Sequence, residues 1–270
     1  MISKKHTKKE LNQLEKLGFF YMPTTSEHEL LRMNGSCTVV LYKSGKLLFQ
    51  GNDDEVRKVK ELFGMVEKQA TLVIERSEDE LIGTDEALKG DTFGGLVVAG
   101  FRADKKERAK LELFGVQDSK NLTDDKIVVL AKKLIEFFPH NFHVENISVE
   151  DYNNTIEALG LTNTLNALHK KCFKFLEQEN YLHVVDKYPG CKVGDIMETK
   201  AESKYLEVAA ASIIARAKAL EQFDELTEKA GFRIPKGSTH VKLALEQLKK
   251  SDLNPREFVK MHFKNVQQLF

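Results

Sequence analysis

The stretch IGTDEALKGDTFGGLVVAG, residues 82–100, contains the pattern that decides the fold of this chain. An apolar run leads into Asp85 and Glu86, and the run FGGLVVAGF that follows has the apolar content of a buried strand. Adjacent acids on a strand point to opposite faces, so we expect the chain to turn there if both acids reach one site. The glycines between the two runs permit such a turn.

Strand-like and helix-like segments alternate around this stretch. FHVENISV (142–149) and YLHVVD (181–186) are short apolar strands by pattern, whereas residues 201–226 form a long Ala-rich helix whose small side chains permit close packing on a sheet. Strands that alternate with helices predict an α/β core with carboxylates at the strand ends. The remaining predictions are a strand at 71–75 and helices at 124–138 and 162–179.

We interpret residues 1–70 as a small α+β unit that precedes a second domain at 71–270. The segment CTVVLYKSGKLLFQG (37–51) predicts a β-hairpin that turns at Ser44 and Gly45, because glycine accepts the positive φ that such a turn needs. Helices are predicted at 7–17, with Leu11, Leu14 and Leu17 on one face, and from Asp53 onwards.

The charge balance argues against an indiscriminate polyanion-binding protein. The 270 residues contain 41 Lys+Arg and 41 Asp+Glu, so the formal net charge is zero and no long-range field draws the chain to nucleic acid. Residues 233–270 nevertheless hold eight Lys+Arg against three Asp+Glu, which is a local basic excess. With 41% hydrophobic residues, the composition is that of a folded chain with a sizeable core.

Cysteine spacing and hydropathy predict a soluble cytoplasmic protein. Cys37, Cys172 and Cys191 lie far apart and are odd in number, which excludes a disulfide framework and a Cys-based zinc site. No apolar window reaches the ~18 residues of a membrane helix. Charged residues interrupt the basic N-terminus before any apolar stretch of signal-peptide length. Because no dimerisation heptad is present, we expect a monomer.

Two further acids occupy positions that are typical of functional groups. Asp186 ends the apolar strand YLHVVD, and Glu202 stands in the predicted first turn of the Ala-rich helix. Each acid also has an explanation that involves no function. Asp186 is typical of an Asp that initiates a turn, and Glu202 is favoured by the helix dipole in a first helical turn. Asp85 and Glu86 are typical of a solvated loop. If the four converge, their repulsion requires cations, and two hard divalent ions bound by carboxylate oxygens are the natural solution.

Six sequence blocks follow one another along residues 81–265. They are IGTDEALKGDTFGGLVVA (82–99), DSKNLTD (118–124), VVDKYP (184–189), KAESKYLEVAAASIIAR (200–216), PKGSTHVK (235–242) and MHFKN (261–265). In this order they resemble the motifs of type 2 ribonucleases H. The KAE block and the HFKN ending favour ribonuclease HIII over HII. The N-terminal unit, with LYKSGKLLFQG, is similar to the TBP-like substrate-binding domain of HIII.

The resemblance implies an α/β catalytic domain of the RNase H-like type, with a mixed sheet flanked by helices, behind a TBP-like domain. The acidic set of the family falls on Asp85, Glu86, Asp186 and Glu202, which would be both catalytic residues and metal ligands. Two Mg²⁺ or Mn²⁺ ions would support in-line hydrolysis of a phosphodiester. The implied reaction is endonucleolytic cleavage of the RNA strand of RNA–DNA hybrids, which leaves 5′-phosphate and 3′-hydroxyl ends.

The resemblance also implies substrate contacts. Lys89 and Gly90 belong to a loop whose backbone lies against the ribose strand near the 2′-hydroxyl. Ser119 and Lys120 belong to a block at the substrate, where Lys120 would meet a backbone phosphate. The terminal MHFKN block either lines the substrate channel or has a packing role.

Two residues depart from the family pattern. Leu88 stands where the family has glycine, and we expect its side chain to obstruct the ribose or to oppose a positive φ. Gly95 replaces a proline, which predicts a looser turn. The alternatives to an active ribonuclease H are a hybrid-binding protein whose activity is weak or lost because of Leu88, and another RNase H-like metallonuclease, for example one that cuts DNA junctions. Since all four acids are present, we favour the active enzyme.

Overall fold

The computed structural model describes residues 6–63 and 80–270, and the predicted strand at 71–75 lies outside them. The chain divides into two compact units, Met1–Thr71 and Leu72–Phe270. Among the described residues, no helix combines the length and the apolar character needed to cross a lipid bilayer.

The first unit is built on a small antiparallel sheet. Its elements are α1 (Lys8–Leu11), β1 (Phe20–Met22), β2 (Glu29–Asn34), β3 (Thr38–Tyr42), β4 (Leu47–Gln50) and α2 (Asp53–Leu62). The sheet order is β1-β2-β3-β4, and β3 and β4 form the predicted hairpin, with Gly45 at φ +83°. Leu11 and Leu14 are buried as expected, but Leu17 is 54% exposed because the helix tightens into a 3-10 turn and ends there.

The second unit contains a mixed five-stranded sheet. Its strands are β5 (Glu80–Ala87), β6 (Leu96–Ala103), β7 (Phe142–Ile147), β8 (Tyr181–Asp186) and β9 (Ile196–Glu198). They lie in the order β7-β6-β5-β8-β9, and β5 runs antiparallel to β6 but parallel to β8. Thr84 pairs with Val185 across this parallel pair, so Asp85 and Asp186 occupy the next positions on neighbouring strands. Both acids therefore reach the same edge of the sheet.

Helices cover both faces of this sheet. They are α3 (Lys105–Phe114), α4 (Asp124–Phe137), α5 (Val149–Leu159), α6 (Leu161–Leu176), α7 (Leu206–Ala230), α8 (Lys242–Lys250) and α9 (Lys264–Gln267). The side chains of β6 alternate between two cores: Val97 and Ala99 pack with residues of α7, and Val98 packs with residues of α6. This arrangement confirms the predicted α/β class, with helices flanking a mixed sheet.

Gly83 in β5 allows α7 to lie directly against the sheet. A Cβ at this position would lie 2.3 Å from the Val208 nitrogen and 2.5 Å from the Glu207 carbonyl carbon. The small side chains of α7, among them Ala209 and Ala210, are completely buried at this contact. The close approach brings the next turn of α7 to the acids of β5.

Candidate active site

The ends of β5 and β8 bring Asp85, Glu86 and Asp186 to the wall of one cleft, which has a volume of about 340 Å³. Asp85 and Glu86 still pair with Ala99 and Val98 of β6, so the strand continues through both acids. The turn that we expected at this point is therefore absent. The two side chains leave opposite faces of β5, and both reach the cleft because it lies across the end of the sheet.

Asp85 faces α7 and is buried, with 7% of its surface exposed. Its Oδ1 accepts a hydrogen bond from the Glu86 backbone N–H at 2.8 Å, and the Ser212 hydroxyl donates to the same carboxylate. Burial raises the pKa of Asp85 well above its ordinary value, and the Glu86 charge raises it further. The predicted substrate residue Ser119 is buried but lines the cleft, with its hydroxyl oxygen 2.8 Å from that of Ser212.

Glu86 faces α6, on the same side of β5 as Thr84. The fully buried His169 lies between them, with Nδ1 2.8 Å from the Thr84 hydroxyl and Nε2 3.4 Å from Glu86 Oε2. Burial acts to raise the pKa of Glu86, but His169 and Lys89 outweigh it and hold the pKa below its ordinary value. No spacing in the sequence singles out His169, because its two partners lie in a different element.

Asp186 ends β8 and anchors the segment that carries Glu202. Its Oδ1 accepts a hydrogen bond from the Ala201 backbone N–H at 3.0 Å. The sequence predicts Glu202 in the first turn of the long helix. It lies instead in the 3-10 turn Ala201–Ser203 that precedes α7. The helix starts late because Lys200 takes the left-handed conformation, with φ +60°, and turns the chain towards Asp186. Only 1% of the surface of Glu202 is exposed.

The four carboxylates share one electrostatic environment. Burial raises the pKa of Asp186, and the charges of Glu202 and Glu86 add to this effect, although a backbone N–H and Lys120 act in the opposite direction. The charge of Asp186 in turn raises the pKa of Asp85. Three of the four predicted acids, Asp85, Glu86 and Asp186, line the cleft, and Glu202 adjoins it through its ion pair with the cleft residue Lys120.

Lys89 and Lys120 form ion pairs with the acids of the site. Lys89 Nζ pairs with Glu86, and Lys120 Nζ pairs with Glu202. Burial acts to lower the pKa of Lys120, but Glu202 and then Asp118 outweigh it, so the pKa is raised. Both lysines line the cleft, where they supply positive charge next to the carboxylates.

The loop 88–91 carries Leu88 and the predicted contact residue Gly90. Leu88 adopts φ +70°, and its side chain is 5% exposed because it packs into the core beneath α7. Our expectation that Leu88 excludes a positive φ is therefore wrong, whereas the obstruction of the ribose stays a prediction, because Leu88 also lies at the wall of the cleft. A Cβ on Gly90 would meet nothing within 4 Å, so the backbone there is open to the cleft.

Gly95 does not loosen its turn. A Cβ at this position would lie 2.1 Å from the Ile147 carbonyl oxygen, and the Gly95 N–H donates to Gln222 Oε1 at 2.9 Å. The prediction of a looser turn is wrong because the missing side chain lets the end of β7 approach the backbone closely.

Two cations that were not predicted also line the cleft, Arg216 in α7 and Lys236. Arg216 Nη2 lies 3.0 Å from Asp124 Oδ1, and Lys236 pairs with the other oxygen of the same carboxylate. The Nε of Arg216 is buried and makes no hydrogen bond. Both residues lie within the sequence blocks quoted above, but nothing in the spacing distinguishes them from surface cations.

The MHFKN block does not line the cleft. His262 instead lies against two aromatic rings, with its ring centroid 5.7 Å from that of Tyr152 and 4.8 Å from that of Phe263. Of the two predicted roles for this block, the structure therefore favours packing.

The donor set of the site fits hard divalent cations. All four candidate ligands are carboxylates, and Glu86 Oε2 and Glu202 Oε2 are buried oxygens without a hydrogen bond. Among the described residues, no three acidic, His or Cys side chains converge tightly enough to hold a metal as they stand. Lys89 forms an ion pair with Glu86, and Lys120 forms one with Glu202, so a metal cation would have to displace both lysines from these carboxylates.

The chain is similar to known proteins over most of its length. A family model described as ribonuclease HII matches residues 82–266. Ribonuclease HIII of Streptococcus agalactiae is 33% identical over 254 residues, which are 86% of this chain and 84% of that protein.

Solved structures of the same kind share the fold. Bst-RNase HIII in complex with Mn²⁺ is 24% identical, with a TM-score of 0.66 over 98% of this chain and 96% of that chain. RNase H3 of Aquifex aeolicus is 29% identical, with a TM-score of 0.59 over 96% and 99%. These likenesses confirm the predicted RNase H-like fold. The chain therefore belongs to the ribonuclease HII family, together with its ribonuclease HIII relatives.

Proposed function

We propose that this protein is a divalent-metal-dependent endoribonuclease that hydrolyses the RNA strand of RNA–DNA hybrids. The observation that carries the proposal is that Asp85, Glu86 and Asp186 line one cleft and that burial and neighbouring acidic charges raise the pKa of Asp85 and of Asp186. Glu202 adjoins them through its charge on Asp186 and its ion pair with the cleft residue Lys120. Similarity to proteins named ribonuclease HIII supports the substrate class.

The four carboxylates, Asp85, Glu86, Asp186 and Glu202, would hold two Mg²⁺ or Mn²⁺ ions. Such ions, when bound, activate a water molecule and stabilise the departing 3′-oxygen, which gives 5′-phosphate and 3′-hydroxyl ends. Asp85 and Glu86 reach the site from opposite faces of β5, and Asp186 reaches it from the end of β8. His169 Nε2 lies 3.4 Å from Glu86 Oε2 on the α6 side, and we propose that it supports this carboxylate when a metal is bound. Support for Mn²⁺ comes from Bst-RNase HIII, which binds it.

The cations of the cleft are placed to bind phosphates. Lys89, Lys120, Arg216 and Lys236 line the same wall as the acids, and lysine and arginine side chains are the usual partners of a nucleic-acid backbone. The open backbone of Gly90 is the contact that we propose for the ribose 2′-hydroxyl, the group that distinguishes RNA from DNA. Ser119, which also lines the cleft and whose hydroxyl pairs with that of Ser212, is the further substrate contact that we propose.

The first unit, predicted as a domain at 1–70, is proposed to contribute to hybrid binding. Its small antiparallel sheet is of the kind expected for a TBP-like domain. The side chains of β1, Phe20, Tyr21 and Met22, are largely exposed, which suits contact with a macromolecular surface. A monomer located in the cytoplasm remains our expectation.

A panel of end-labelled substrates tests the proposal. The protein is incubated with an RNA–DNA hybrid, a DNA duplex and an RNA duplex, with Mg²⁺ and separately with Mn²⁺. We expect cleavage of the RNA strand of the hybrid alone, and none in EDTA. Cleavage of DNA would contradict the proposal and favour another metallonuclease of this fold.

The inactive hybrid-binding alternative is not favoured. It rests on a Leu88 side chain that blocks the substrate, whereas this side chain packs into the core, although Leu88 lies at the wall of the cleft. Tight hybrid binding without any cleavage, in either metal, would nevertheless restore it.

A further inference from the structure

Lys260 is a fully buried lysine in the segment that precedes α9. Its ammonium lies 5.0 Å from the centroid of the Tyr152 ring and 5.5 Å from that of Phe263. Among the described residues, no carboxylate forms an ion pair with it. Burial lowers its pKa to about 7, although the charge of Asp91 acts in the opposite direction. A buried ammonium that forms no ion pair is unfavourable, so its hydrogen bonds need an explanation.

Those hydrogen bonds go to the two ends of the loop 88–91. Lys260 Nζ donates to the Leu88 carbonyl oxygen and, at 2.7 Å, to the Asp91 carbonyl oxygen. The Asp91 N–H closes the same loop by donating to the Leu88 carbonyl at 3.1 Å. Leu88 is the loop residue in the left-handed conformation, which a side chain with a Cβ disfavours. One ammonium thus satisfies both carbonyls where the loop is strained.

We propose that Lys260 is a positioning residue that locks the loop 88–91 into the conformation that presents Lys89 and Gly90 to the substrate. This proposal rests on the proposed function for its effect on cleavage, but not for its effect on the loop. Lys260 touches no acid of the site and acts only through the backbone of Leu88 and Asp91.

Neighbouring contacts make the effect of Lys260 separable from folding of the C-terminal segment. The Lys260 backbone N–H donates to the Thr92 carbonyl at 3.0 Å, and Asn265 Nδ2 donates to the Thr92 hydroxyl at 2.9 Å. Phe93 and Val259 form a β-bridge next to them. None of these contacts uses the ammonium, so all of them persist in Lys260→Met.

The test is a double-mutant cycle of Lys260→Met with Leu88→Gly in the full-length protein. Glycine adopts the left-handed conformation without penalty, so it removes part of the need for the lysine. Amide hydrogen exchange at Asp91 reports on the loop, and kcat/KM on an RNA–DNA hybrid reports on function. The matched control is Lys249→Met, because Lys249 also donates to a backbone carbonyl, that of Leu269, but away from the loop.

We expect Lys260→Met to speed exchange at Asp91 and to lower kcat/KM, each by about tenfold or more, because both hydrogen bonds of the ammonium to the loop are lost. In the Leu88→Gly background both effects should shrink several-fold, whereas Lys249→Met should change neither quantity. If Lys260 only filled space, Lys260→Met would lower kcat/KM equally in the wild-type and Leu88→Gly backgrounds and would leave exchange at Asp91 unchanged. That result would overturn the proposal.

Two further outcomes are distinguishable. If Lys260→Met does not fold, Lys260→Leu, which likewise lacks a hydrogen-bond donor, replaces it in the cycle, and unchanged exchange at Asp91 in that variant would equally overturn the role. If the wild-type protein fails to cleave the hybrid, the proposed function fails, while the exchange measurement still decides whether Lys260 holds the loop.

Discussion

Asp85 is at once a proposed metal ligand and a buried charge that the metal-free fold does not compensate. Burial and the adjacent Glu86 raise its pKa, and the hydrogen bonds from Ser212 and the Glu86 N–H only partly offset this. Asp85 should therefore lower the stability of the metal-free protein although the proposed activity needs it. Leu88 shows the opposite case, since a residue that departs from the family pattern is accommodated by turning into the core.

Asp85→Asn should abolish cleavage and stabilise the metal-free protein. Because the folded-state pKa of Asp85 is raised, the wild type loses stability as the pH rises from the unfolded value, about 4, through the folded one. The asparagine variant has no such titration, so its advantage in the free energy of unfolding should grow over this pH range. Urea unfolding in EDTA at several pH values measures it. An advantage that is absent or independent of pH would contradict the electrostatic explanation.

His169→Ala should weaken metal binding without removing a ligand. The imidazole lies 3.4 Å from the Glu86 carboxylate, which we propose that it supports, and its other nitrogen is 2.8 Å from the Thr84 hydroxyl. Loss of such a support typically costs about 10–100-fold in metal affinity. Titration calorimetry with Mn²⁺ measures the change, and excess metal should restore part of the cleavage. His183→Ala is the control, because His183 stacks on Phe173 and not on the acids. Equal effects of the two substitutions would argue against a role at Glu86.

At the scale of elements, the sequence predicts what depends on local pattern. The apolar runs of β5, β6 and β8 identify the strands and therefore Asp85, Glu86 and Asp186. The position of Glu202 depends instead on the left-handed Lys200, which no periodicity reveals. His169, Arg216 and Lys260 escape prediction because their partners lie in other elements. The helix α3 was also missed, although Asp104 and Glu107 form its capping box.

The packing of α7 on β5 should be intolerant of any side chain at position 83. Gly83→Ala places a methyl group 2.3 Å from the Val208 nitrogen, so it should lower the free energy of unfolding by about 1–3 kcal/mol. Thermal or urea unfolding measures the loss. Gly90→Ala is the matched control: its methyl group meets nothing within 4 Å, so stability should be retained while hybrid cleavage falls. Unchanged stability in Gly83→Ala would contradict the close approach of α7.

At the scale of the whole molecule, zero net charge is compatible with a nucleic-acid substrate because the charges are placed locally. The acids of the site are buried or half-buried, and Lys89, Lys120, Arg216 and Lys236 line the cleft that holds Asp85, Glu86 and Asp186. The balance of 41 basic and 41 acidic residues still argues against indiscriminate binding. The net charge of the protein therefore says little about its partner, whereas the positions of the charged residues support a nucleic-acid substrate that binds at this cleft.

Removal of residues 1–69 should separate substrate binding from chemistry. The two compact units have their own cores, and all four acids lie in the second. We expect KM for the hybrid to rise about tenfold or more with kcat largely retained, as for loss of a binding module. Steady-state kinetics measure both, with circular dichroism as the check on folding. A folded fragment with unchanged KM would show that the first unit does not bind the substrate.

The central claim is that the four acids act as one metal-dependent site, and single-turnover cleavage of an RNA–DNA hybrid by Asp85→Asn, Asp186→Asn and the double variant tests it most directly. Residues that serve one unit are not additive, so each single variant should lose at least about 100-fold and the double variant little more. Retained cleavage in either single variant, or losses that multiply in the double variant, would contradict the claim.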